Sequence, residues 1–448
     1  MQKKTLLALL LALTVLLSGC ALVTVDSAKD NARVIVDVNG ETVNKAVIKA
    51  AVDNQISTYE YYNQLYSSYY GISDLYSTDE ATITAEVIDI YVNQLVSQQK
   101  AKELGLYEMT EEEQAEIDTT GKENYDTFIQ SVISTYMPGS TLEGDELTAA
   151  AEKYVADNAV TTVDGRSTLA DFVASAADAK AVEKLSDYII KDVAVTDEEI
   201  QADFDAKVES AKADYEADPN AYGTAVNGGS TVYYAPAGYR MVKHILVKVS
   251  DEDSAVTTEK QAALSTAKSA LTDAQSALDT AAEDADKTAL QAAVDEAQKA
   301  VDEAQAAYDE AQAAGLANAK AIADGIYTQL TAEGADFDTL LADNNGDSGQ
   351  PEAGYAIREG FTSFVESFTN ASMALEKVGD VSEPVESTYG YHIIKYVSDV
   401  AEGPVDLETV KDGISSALLT TKQNETTTAT LAQYVSEAKV KTYPERMN

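Results

Sequence analysis

The fold of this chain is decided by two stretches, Tyr239-Arg240-Met241-Val242-Lys243-His244-Ile245-Leu246-Val247 and Gly390-Tyr391-His392-Ile393-Ile394-Lys395. Both are dense in β-branched and aromatic residues, which is typical of strands inside a sheet. Because side chains alternate along a strand, each histidine shares its face with large apolar residues. These are the only 2 histidines of the chain. The sequence therefore predicts two strands whose apolar faces carry one histidine each.

A block of low complexity, residues 255–314, lies between the two stretches and is rich in Ala, Asp, Glu, Gln and Lys. Its apolar residues recur at spacings of three and four in two runs, which a polar break at residues 283–286 separates. This pattern predicts two helices packed as an antiparallel coiled-coil hairpin that ends before Gly315, with a separate helix from Ala319 to Leu330. Two roles stay open: a rigid spacer in a surface loop, or an arm that gates a site or joins a homodimer.

The region before the first stretch is predicted to be mostly helical. Asn39-Gly40 stands between two β-prone runs and is a strong signal for a hairpin. From about residue 44 to 200 apolar residues recur at helical spacing, and Thr110 and Thr196 precede acidic residues as helix N-caps do. A segment rich in Pro and Gly, residues 218–238, marks a domain boundary.

One helix of this region carries tyrosines at helical spacing. The interpretation that the spacing favours is a stripe that faces the core. The alternative is an exposed aromatic lining that holds unfolded chains. The stripe consists of Tyr59, Tyr62, Tyr66 and Tyr69 or Tyr70.

Composition excludes several classes of protein. The chain has 76 acidic and 32 basic residues and a formal net charge of -44, which argues against a nucleic-acid binder. Its 1 cysteine excludes an internal disulfide and a multi-cysteine metal site, and its 2 histidines argue against a histidine-rich metal site. The absence of alternating strands and helices argues against a two-lobed solute-binding protein.

The N-terminus has the pattern of an export signal. Lys3 and Lys4 precede an apolar run, Thr5 to Leu17, that is too short to span a bilayer. Leu17-Ser18-Gly19-Cys20 follows and resembles the bacterial lipobox, in which the cysteine becomes the first residue of the mature protein and carries lipid. The alternative is a lone cysteine that happens to end the signal peptide. The lipobox interpretation predicts a lipid anchor at Cys20 in the cell membrane.

The two strands with their histidines resemble the opening and closing strands of parvulin-type peptidyl-prolyl isomerases, which read His-Ile-Leu-Val and Gly-Tyr-His-Ile-Ile. Between them, Asp336 to Leu340 is similar to a helix of that family. Val378 to Val385 is similar to its Gly-Glu-Ile-Ser-x-Pro-Val segment. The resemblance covers about 236–402 without the hairpin. It departs at Glu352 to Ile357, where the family usually has Gly-Gly-Asp-Leu-Gly, so the leucine wall of the proline pocket is not identified.

The resemblance implies roles for individual residues. The catalytic set comprises the paired core histidines and the residue that faces the bound peptide bond: His244, His392 and Asp347. The substrate-binding set comprises a hydrophobic wall, an aromatic floor, a residue where the family often has a hydroxyl, and one where some members have serine: Phe364, Phe368, Ser387 and Tyr389. No cofactor or metal is implied, because isomerisation makes and breaks no bond.

The wider layout resembles PrsA-like foldase lipoproteins, so the expected class is α+β: a helical SurA/PrsA-like chaperone module plus a parvulin domain, a small antiparallel sheet with flanking helices that carries the inserted hairpin. The predicted domains are a signal peptide (1–19), a lipidated tether (20–33), a helical chaperone domain (34–235), the parvulin domain (236–402, insertion 255–314) and a C-terminal helix packed on the chaperone domain (403–448). The resemblance implies a lipid-anchored foldase on the extracytoplasmic face of the cell membrane. It would isomerise X-Pro bonds in unfolded or newly secreted proteins and hold those chains. One alternative is a non-catalytic holdase with a degenerate parvulin domain. Another is a structural or adhesion lipoprotein whose hairpin reaches toward a partner.

Overall fold

The structure, a computed structural model, describes residues 23–24, 30–162, 164–282 and 287–447. The predicted signal peptide and Cys20 lie outside these residues. In the described part of the chain, no helix combines the length and the apolar character needed to cross a membrane. Packing divides the chain into two units, which are described separately: unit 1 comprises Met1–Ala194 and Ala417–Asn448, and unit 2 comprises Val195–Ser416.

Helices dominate the described chain, and the strands are short apart from two in unit 2. The strands are β1 (Val23–Thr24), β2 (Val34–Val38), β3 (Glu41–Asn44), β4 (Val160–Thr161), β5 (Tyr234–Ala235), β6 (Arg240–Lys248), β7 (Tyr355–Ile357), β8 (Val385–Ser387), β9 (Gly390–Asp399), β10 (Gly403–Pro404) and β11 (Val440–Thr442). The helices are α1 (Lys45–Tyr70), α2 (Glu80–Glu103), α3 (Glu111–Tyr136), α4 (Gly144–Asn158), α5 (Leu169–Ile190), α6 (Asp197–Ala217), α7 (Ala221–Asn227), α8 (Asp251–Asp279), α9 (Lys287–Leu330), α10 (Phe337–Asn344), α11 (Glu366–Ala374) and α12 (Leu407–Glu437), with a 3₁₀ turn at Pro444–Met447.

Unit 1 is a helical unit with a small sheet of order β11-β2-β3. The predicted hairpin at Asn39-Gly40 is confirmed, since β2 and β3 pair antiparallel around these residues, whose φ angles are 53° and 95°. The predicted cap at Thr110 is also confirmed: Thr110 and Glu113 form a reciprocal capping box that starts α3. Helices α1 and α2 pack on the small sheet through buried aliphatic side chains. A second core joins α3, α4 and α5 around Phe128.

The end of the chain differs from the prediction. The helical pattern was expected to run to the last residues, but α12 ends at Glu437 and the chain then forms β11. Val440 pairs with Val38, and Tyr443 N donates to Ile35 O. The strand was missed because its three residues carry almost no periodic signal and its partner lies about 400 positions away in the sequence.

The tyrosine stripe of α1 is mostly not part of the core, so the favoured interpretation was wrong for most of its members. Tyr59 packs on the unit 1 core. Tyr62 is 41% exposed, Tyr69 76% and Tyr70 71%. The buried side chains of α1 all lie in its first half, where α1 contributes to the core that it shares with the small sheet and α2.

Unit 2 is built around an antiparallel sheet of order β7-β6-β9-β8. Strands β6 and β9 form its centre and pair along their length, from Arg240 opposite Asp399 to Lys248 opposite Gly390. One face, with Ile245 and Ile393, packs on the second half of α9 and on α10. The other face packs on α11 and on the aromatic residues before it. The alternation predicted from the sequence therefore separates two cores, and both histidines lie on the α11 face.

The coiled-coil hairpin is confirmed, with one correction to its end. Helices α8 and α9 pack along each other and bury Leu264, Val294 and Val301. The sequence predicted a break at Gly315, yet α9 continues without interruption from Lys287 to Leu330. Gly315 serves close packing: a Cβ atom there would lie 2.9 Å from Val249 Cγ1. The second arm of the hairpin is thus the same helix that covers the sheet.

Candidate active site

The two histidines meet on the α11 face of the sheet. In the register of β6 and β9, Leu246 is opposite His392 and His244 is opposite Ile394, so the histidines are diagonal neighbours. Their Nδ1 atoms are 2.8 Å apart, and their rings stack with centroids 5.0 Å apart at 17°. The two residues are 3% and 4% exposed. The sheet therefore holds both imidazoles rigidly in a buried position.

Asp347 reaches the histidines from a loop that docks on the edge of β6. Strand β7 pairs only with residues 240–242 of β6, which leaves the later N–H groups of that edge to be satisfied by side chains. Gln350 Oε1 accepts from His244 N at 2.8 Å, and Asn345 Oδ1 accepts from Leu246 N at 2.9 Å. Gly346 N donates to Leu246 O, and a Cβ on Gly346 would lie 2.8 Å from that oxygen. Only glycine fits this approach, which brings Asp347 over the site.

A continuous chain of hydrogen bonds joins the polar groups. Asp347 Oδ2 lies 2.9 Å from His244 Nε2, and Ser387 Oγ lies 2.7 Å from His392 Nε2. An ionised Asp347 can only accept, so His244 carries its proton on Nε2, and its Nδ1 accepts from His392 Nδ1–H. His392 Nε2 is then the acceptor for the hydroxyl of Ser387. The two histidines are thus assigned opposite neutral tautomers, with every proton directed toward Asp347.

The charge states agree with this assignment. Burial lowers the pKa of His244 and outweighs the hydrogen bond that His244 donates to Asp347, which acts to raise this pKa. Burial, reinforced by the neighbouring His244, lowers the pKa of His392 to about 4. Burial acts to raise the pKa of Asp347, but hydrogen bonds from His244, Tyr355 and Gly349 N–H outweigh it and leave the pKa below its usual value. At neutral pH the site holds one carboxylate beside two neutral imidazoles.

Aromatic rings form a cup beside the histidines. Phe368, 2% exposed, contacts the rings of His244 and His392 at centroid distances of 5.0 and 5.2 Å. Phe364 is half-buried and lies 5.4 Å from Phe368 and 4.9 Å from Tyr355. Edge-on packing of this kind fixes the rings against one another. The result is a cluster of aromatic rings with the Asp347 carboxylate at one side.

The structure brings together six of the seven predicted site residues of unit 2. Tyr389 is the exception: its ring is 61% exposed, and only its backbone N–H joins the network, by donating to Ser387 Oγ. Sequence reasoning missed three residues that contact the network, namely Asn345, Gln350 and Tyr355. The first two lie beside the Asp347 position, where a search for side-chain acceptors would have found them. Tyr355 stands in the segment that departs from the parvulin pattern. In the described residues, no group of three or more His, Cys, Asp or Glu side chains is arranged to hold a metal ion.

Comparison with known proteins assigns the domain. Residues 301–398 match the Rotamase family, described as the PPIC-type PPIASE domain. The match begins within α9, so β6 and His244, which precede the hairpin, lie outside it. The intervening hairpin separates these two parts of one sheet in the sequence. The chain contains a parvulin-type peptidyl-prolyl isomerase domain.

This chain is also similar to curated PrsA foldases. It is 34% identical over 134 residues to the foldase protein PrsA of Caldanaerobacter subterraneus subsp. tengcongensis, covering 28% of this chain and 40% of that protein. It is 31% identical over 106 residues to the foldase protein PrsA of Clostridium tetani, covering 24% of this chain and 29% of that protein. The chain thus spans less than half the length of these curated relatives.

Two solved structures are similar at low identity. PrsA from Bacillus subtilis is 18% identical, with 91% of each chain covered and a TM-score of 0.22. A chain from a study of PEB4 and Cj1289, SurA-like chaperones of Campylobacter jejuni, is 15% identical. That match covers 71% of this chain and 95% of the other, with a TM-score of 0.27. These TM-scores are too low to compare whole chains.

Proposed function

We propose that this protein is a foldase that catalyses cis–trans isomerisation of X-Pro bonds in unfolded, newly secreted proteins. The observation that carries the proposal is the hydrogen-bonded chain from Ser387 through His392 and His244 to Asp347, next to the cup of Phe364 and Phe368. This arrangement joins an apolar seat for a proline ring to one fixed negative charge. Isomerisation needs both features and requires no nucleophile.

The physical problem is the resonance of the amide bond. A planar X-Pro bond has a rotation barrier of about 18–20 kcal/mol, because twisting abolishes conjugation between nitrogen and carbonyl. Conjugation places partial negative charge on the carbonyl oxygen, and the twisted state has less of it. A carboxylate held beside that oxygen destabilises the planar state more than the twisted one, which lowers the barrier by differential binding. Asp347 is assigned this role, and Phe364 and Phe368 hold the proline ring while the bond turns.

The histidines keep the carboxylate in place. Neutral His244 donates to Asp347 and neutral His392 donates to His244, so the pair acts as a rigid support without a charge of its own. A positive imidazolium next to Asp347 would cancel the field that the mechanism needs. Burial, which lowers the pKa of both histidines, therefore serves the proposed chemistry. Ser387 fixes the end of the hydrogen-bonded series opposite Asp347. The exposed Tyr389 is assigned to contact with the substrate polypeptide.

The helical region is proposed to hold client chains while unit 2 acts on them. Its support is a surface on α1 that we call the tyrosine surface, formed by Tyr61, Tyr62, Tyr69 and Tyr70, all at least 41% exposed. Tyrosine rings offer apolar contact at little entropic cost and tolerate varied partners. We assign the chaperone role to residues 34–235 together with the helix in 403–448, and the isomerase role to 236–402.

The site of action is proposed to be the extracytoplasmic face of the cell membrane, with the protein anchored by lipid on Cys20. The support is the sequence Leu17-Ser18-Gly19-Cys20 after a short apolar run. Metabolic labelling with a radioactive fatty acid should mark the wild-type chain, and Cys20→Ser should abolish the label. Labelling that persists in Cys20→Ser would contradict the anchor.

The isomerase proposal is tested with the purified full-length protein and a short X-Pro peptide, whose cis-to-trans exchange is followed by NMR. Wild type should accelerate exchange, and Asp347→Asn should reduce kcat/KM by roughly tenfold to a hundredfold, since it removes the charge without changing shape. The matched control is Asp343→Asn, which removes an exposed carboxylate on α10 and should leave the rate unchanged. Equal loss in both variants would show that net charge, and not the site, governs the rate.

A second candidate function is a holdase without catalysis. The departure from Gly-Gly-Asp-Leu-Gly at residues 352–357 and the tyrosine surface both favour it. The discriminating result is a folded wild-type protein that suppresses aggregation of an unfolded client but leaves X-Pro exchange at the uncatalysed rate. That outcome would reject the isomerase proposal and keep the chaperone one.

A further inference from the structure

Tyr355 contacts the candidate site, although its residue type departs from the pattern expected at this place. It is 9% exposed and its hydroxyl donates to Asp347 Oδ2 at 2.8 Å. The same oxygen accepts from His244 Nε2 at 2.9 Å. One carboxylate oxygen has two lone pairs for such bonds, so these two donors occupy both. Oδ2 is therefore saturated by the protein.

The other oxygen of Asp347 is held differently. Oδ1 accepts from the backbone N–H of Gly349 at 2.9 Å, on the exposed side of the loop. The carboxylate therefore has three donors, two on Oδ2 and one on Oδ1, and each donor restricts its rotation about the last side-chain bond. The hydroxyl of Tyr355 thus supplies the second donor to Oδ2, and without it each oxygen of the carboxylate would keep only one donor.

The backbone around Tyr355 is itself clamped. Tyr355 pairs with Val242 in β7, at the edge of the sheet. The next residue, Ala356, exchanges two hydrogen bonds with the side chain of Asn227 on α7: its N–H donates to Oδ1 at 2.7 Å, and its carbonyl accepts from Nδ2 at 3.0 Å. The side-chain amide of Asn227 makes the two backbone hydrogen bonds that a neighbouring strand would otherwise make with β7. The short edge strand β7 is therefore held in place next to Tyr355.

The ring of Tyr355 also belongs to the apolar cup. Its centroid is 4.9 Å from that of Phe364 and 5.8 Å from that of His244. The sequence left the wall contributed by the usual leucine unassigned. Tyr355 lies in the segment where that wall was expected, and it adds a hydroxyl that leucine lacks.

We propose that Tyr355 is a positioning residue of this site, which orients the Asp347 carboxylate through its hydroxyl and forms a wall of the proline cup with its ring. The inference rests on the proposed isomerase function for its kinetic consequence. Its structural part stands without that function, because the orientation of Asp347 is measurable in the protein alone.

The kinetic arm uses Tyr355→Phe, which removes one oxygen and keeps the ring. We expect kcat to fall about tenfold with KM changed less than twofold, because the proline seat is intact while the carboxylate is misoriented. Loss of a donor to the ionised form raises the pKa of Asp347, so the acid limb of the kcat/KM profile should move to higher pH. Tyr355→Ala, which also removes the wall, should raise KM in addition. The control Tyr391→Phe removes a tyrosine–carboxylate bond, to Glu386, on the opposite face of the sheet and should match wild type.

The structural arm exploits the presence of only 2 histidines in the chain. With ¹⁵N-histidine labelling and a tag free of histidine, the full-length protein gives two sets of ring signals. Wild type should show an Nε2–H tautomer for His244 and an Nδ1–H tautomer for His392. In Tyr355→Phe the His244 Nε2 signal should respond to protonation of Asp347 at a higher pH than in wild type.

The two arms fail in different ways. An inactive wild-type protein whose His244 signal still shifts in Tyr355→Phe would reject the isomerase function and keep the positioning role. An active wild type with the same kcat, the same pH profile and the same His244 titration in Tyr355→Phe would overturn the inference. A rise in KM alone would also overturn it, because it would leave Tyr355 as a wall without an orienting role.

Discussion

Aromatic side chains cluster in two regions of this molecule, and the two clusters differ in their exposure and in their hydrogen bonding. In unit 2, Phe368 is 2% exposed and contacts both histidine rings, while the hydroxyl of Tyr355 is bonded to a carboxylate. In unit 1, the tyrosine surface leaves Tyr69 and Tyr70 more than two thirds exposed, at 76% and 71%. The first is a largely buried site whose histidines, Asp347 and Ser387 are hydrogen-bonded to one another, and the second is an open surface.

The difference shows what each of the two proposed tasks, isomerisation and holding of a client chain, requires of the protein. Rotation about one bond needs groups fixed to within a fraction of an ångström, which packing and hydrogen bonds on a rigid sheet provide. Retention of a chain without fixed shape needs apolar contacts that accept many sequences. Rigidity follows from burial in unit 2, and adaptability follows from exposure in unit 1. Stability and binding should therefore separate between the two regions when their rings are removed.

The largest expected effect is the loss of a buried ring. Phe368→Ala leaves a cavity beneath both histidines and should lower the free energy of unfolding of unit 2 by about 3–5 kcal/mol. Tyr70→Ala, the matched change in unit 1, should cost less than about 0.5 kcal/mol, because its ring is largely in water. Hydrogen exchange of the most protected amides in the full-length protein measures each unit separately. Comparable losses in the two variants would erase the proposed contrast.

The site of unit 2 was largely predictable because its residues sit at fixed places on two strands. Alternation alone puts His244 and His392 on an apolar face, and pairing of their strands brings them together. Asp347 was predicted from the resemblance, yet the way its loop packs against β6 was not foreseen. This packing depends on the side chains of Asn345 and Gln350, which accept hydrogen bonds from backbone N–H groups of β6. Such bonds depend on which part of a strand lacks a partner, and sequence periodicity carries no such information.

The open surface of unit 1 could not be predicted for a related reason. Helical spacing identifies which tyrosines share a face but not whether a neighbour covers that face. On α1 the hydrophobic core of unit 1 reaches no further than Tyr59, so one periodic stripe is core at its start and surface at its end. Strand β11 and the uninterrupted α9 were missed in the same way. The strand at Val440 depends on its distant partner Val38, and Gly315, within α9, allows close packing where a break was predicted.

A second, smaller effect should distinguish the units by pH. Both histidines lie in unit 2, and unit 1 has none. The folded-state pKa of His392 is lowered to about 4 from 6.5, so the unfolded chain binds a proton at higher pH than the folded one. Stability therefore rises with pH across this window and is lost as pH falls from 6.5 toward 4. At pH 5 this histidine alone should cost unit 2 about 2 kcal/mol relative to pH 7.

Hydrogen exchange of the protected amides at pH 7 and pH 5 measures this effect, and unit 1 serves as the control. At pH 5 the solution is still above the ordinary aspartate pKa of 3.8, so Asp347, whose pKa is lowered further, stays ionised. Protected amides of unit 2 should lose protection between pH 7 and 5, after correction for the intrinsic exchange rate, while those of unit 1 should lack this histidine-linked loss. Unchanged protection in unit 2 would mean that His392 accepts its proton in the folded state near pH 6.5. The neutral pair on which the proposed mechanism depends would then be wrong.

Removal of exposed rings from the tyrosine surface should have the smallest effect on the free energy of unfolding and a clear effect on the holding of client chains. The double variant Tyr69→Ser with Tyr70→Ser removes two exposed rings and should change the free energy of unfolding by no more than about 0.5 kcal/mol. Its ability to suppress aggregation of a reduced, carboxymethylated secreted protein should nevertheless fall, because the apolar area offered to the client is smaller. Tyr188→Ser, at an exposed tyrosine on α5 outside the tyrosine surface, is the control and should hold the client as wild type does. If the double variant holds the client normally, the tyrosine surface has no part in binding. The two aromatic regions would then differ only in their burial and not in their function. If it also loses X-Pro isomerase activity on a short peptide, the rings act on the catalytic unit and the two tasks are not separable.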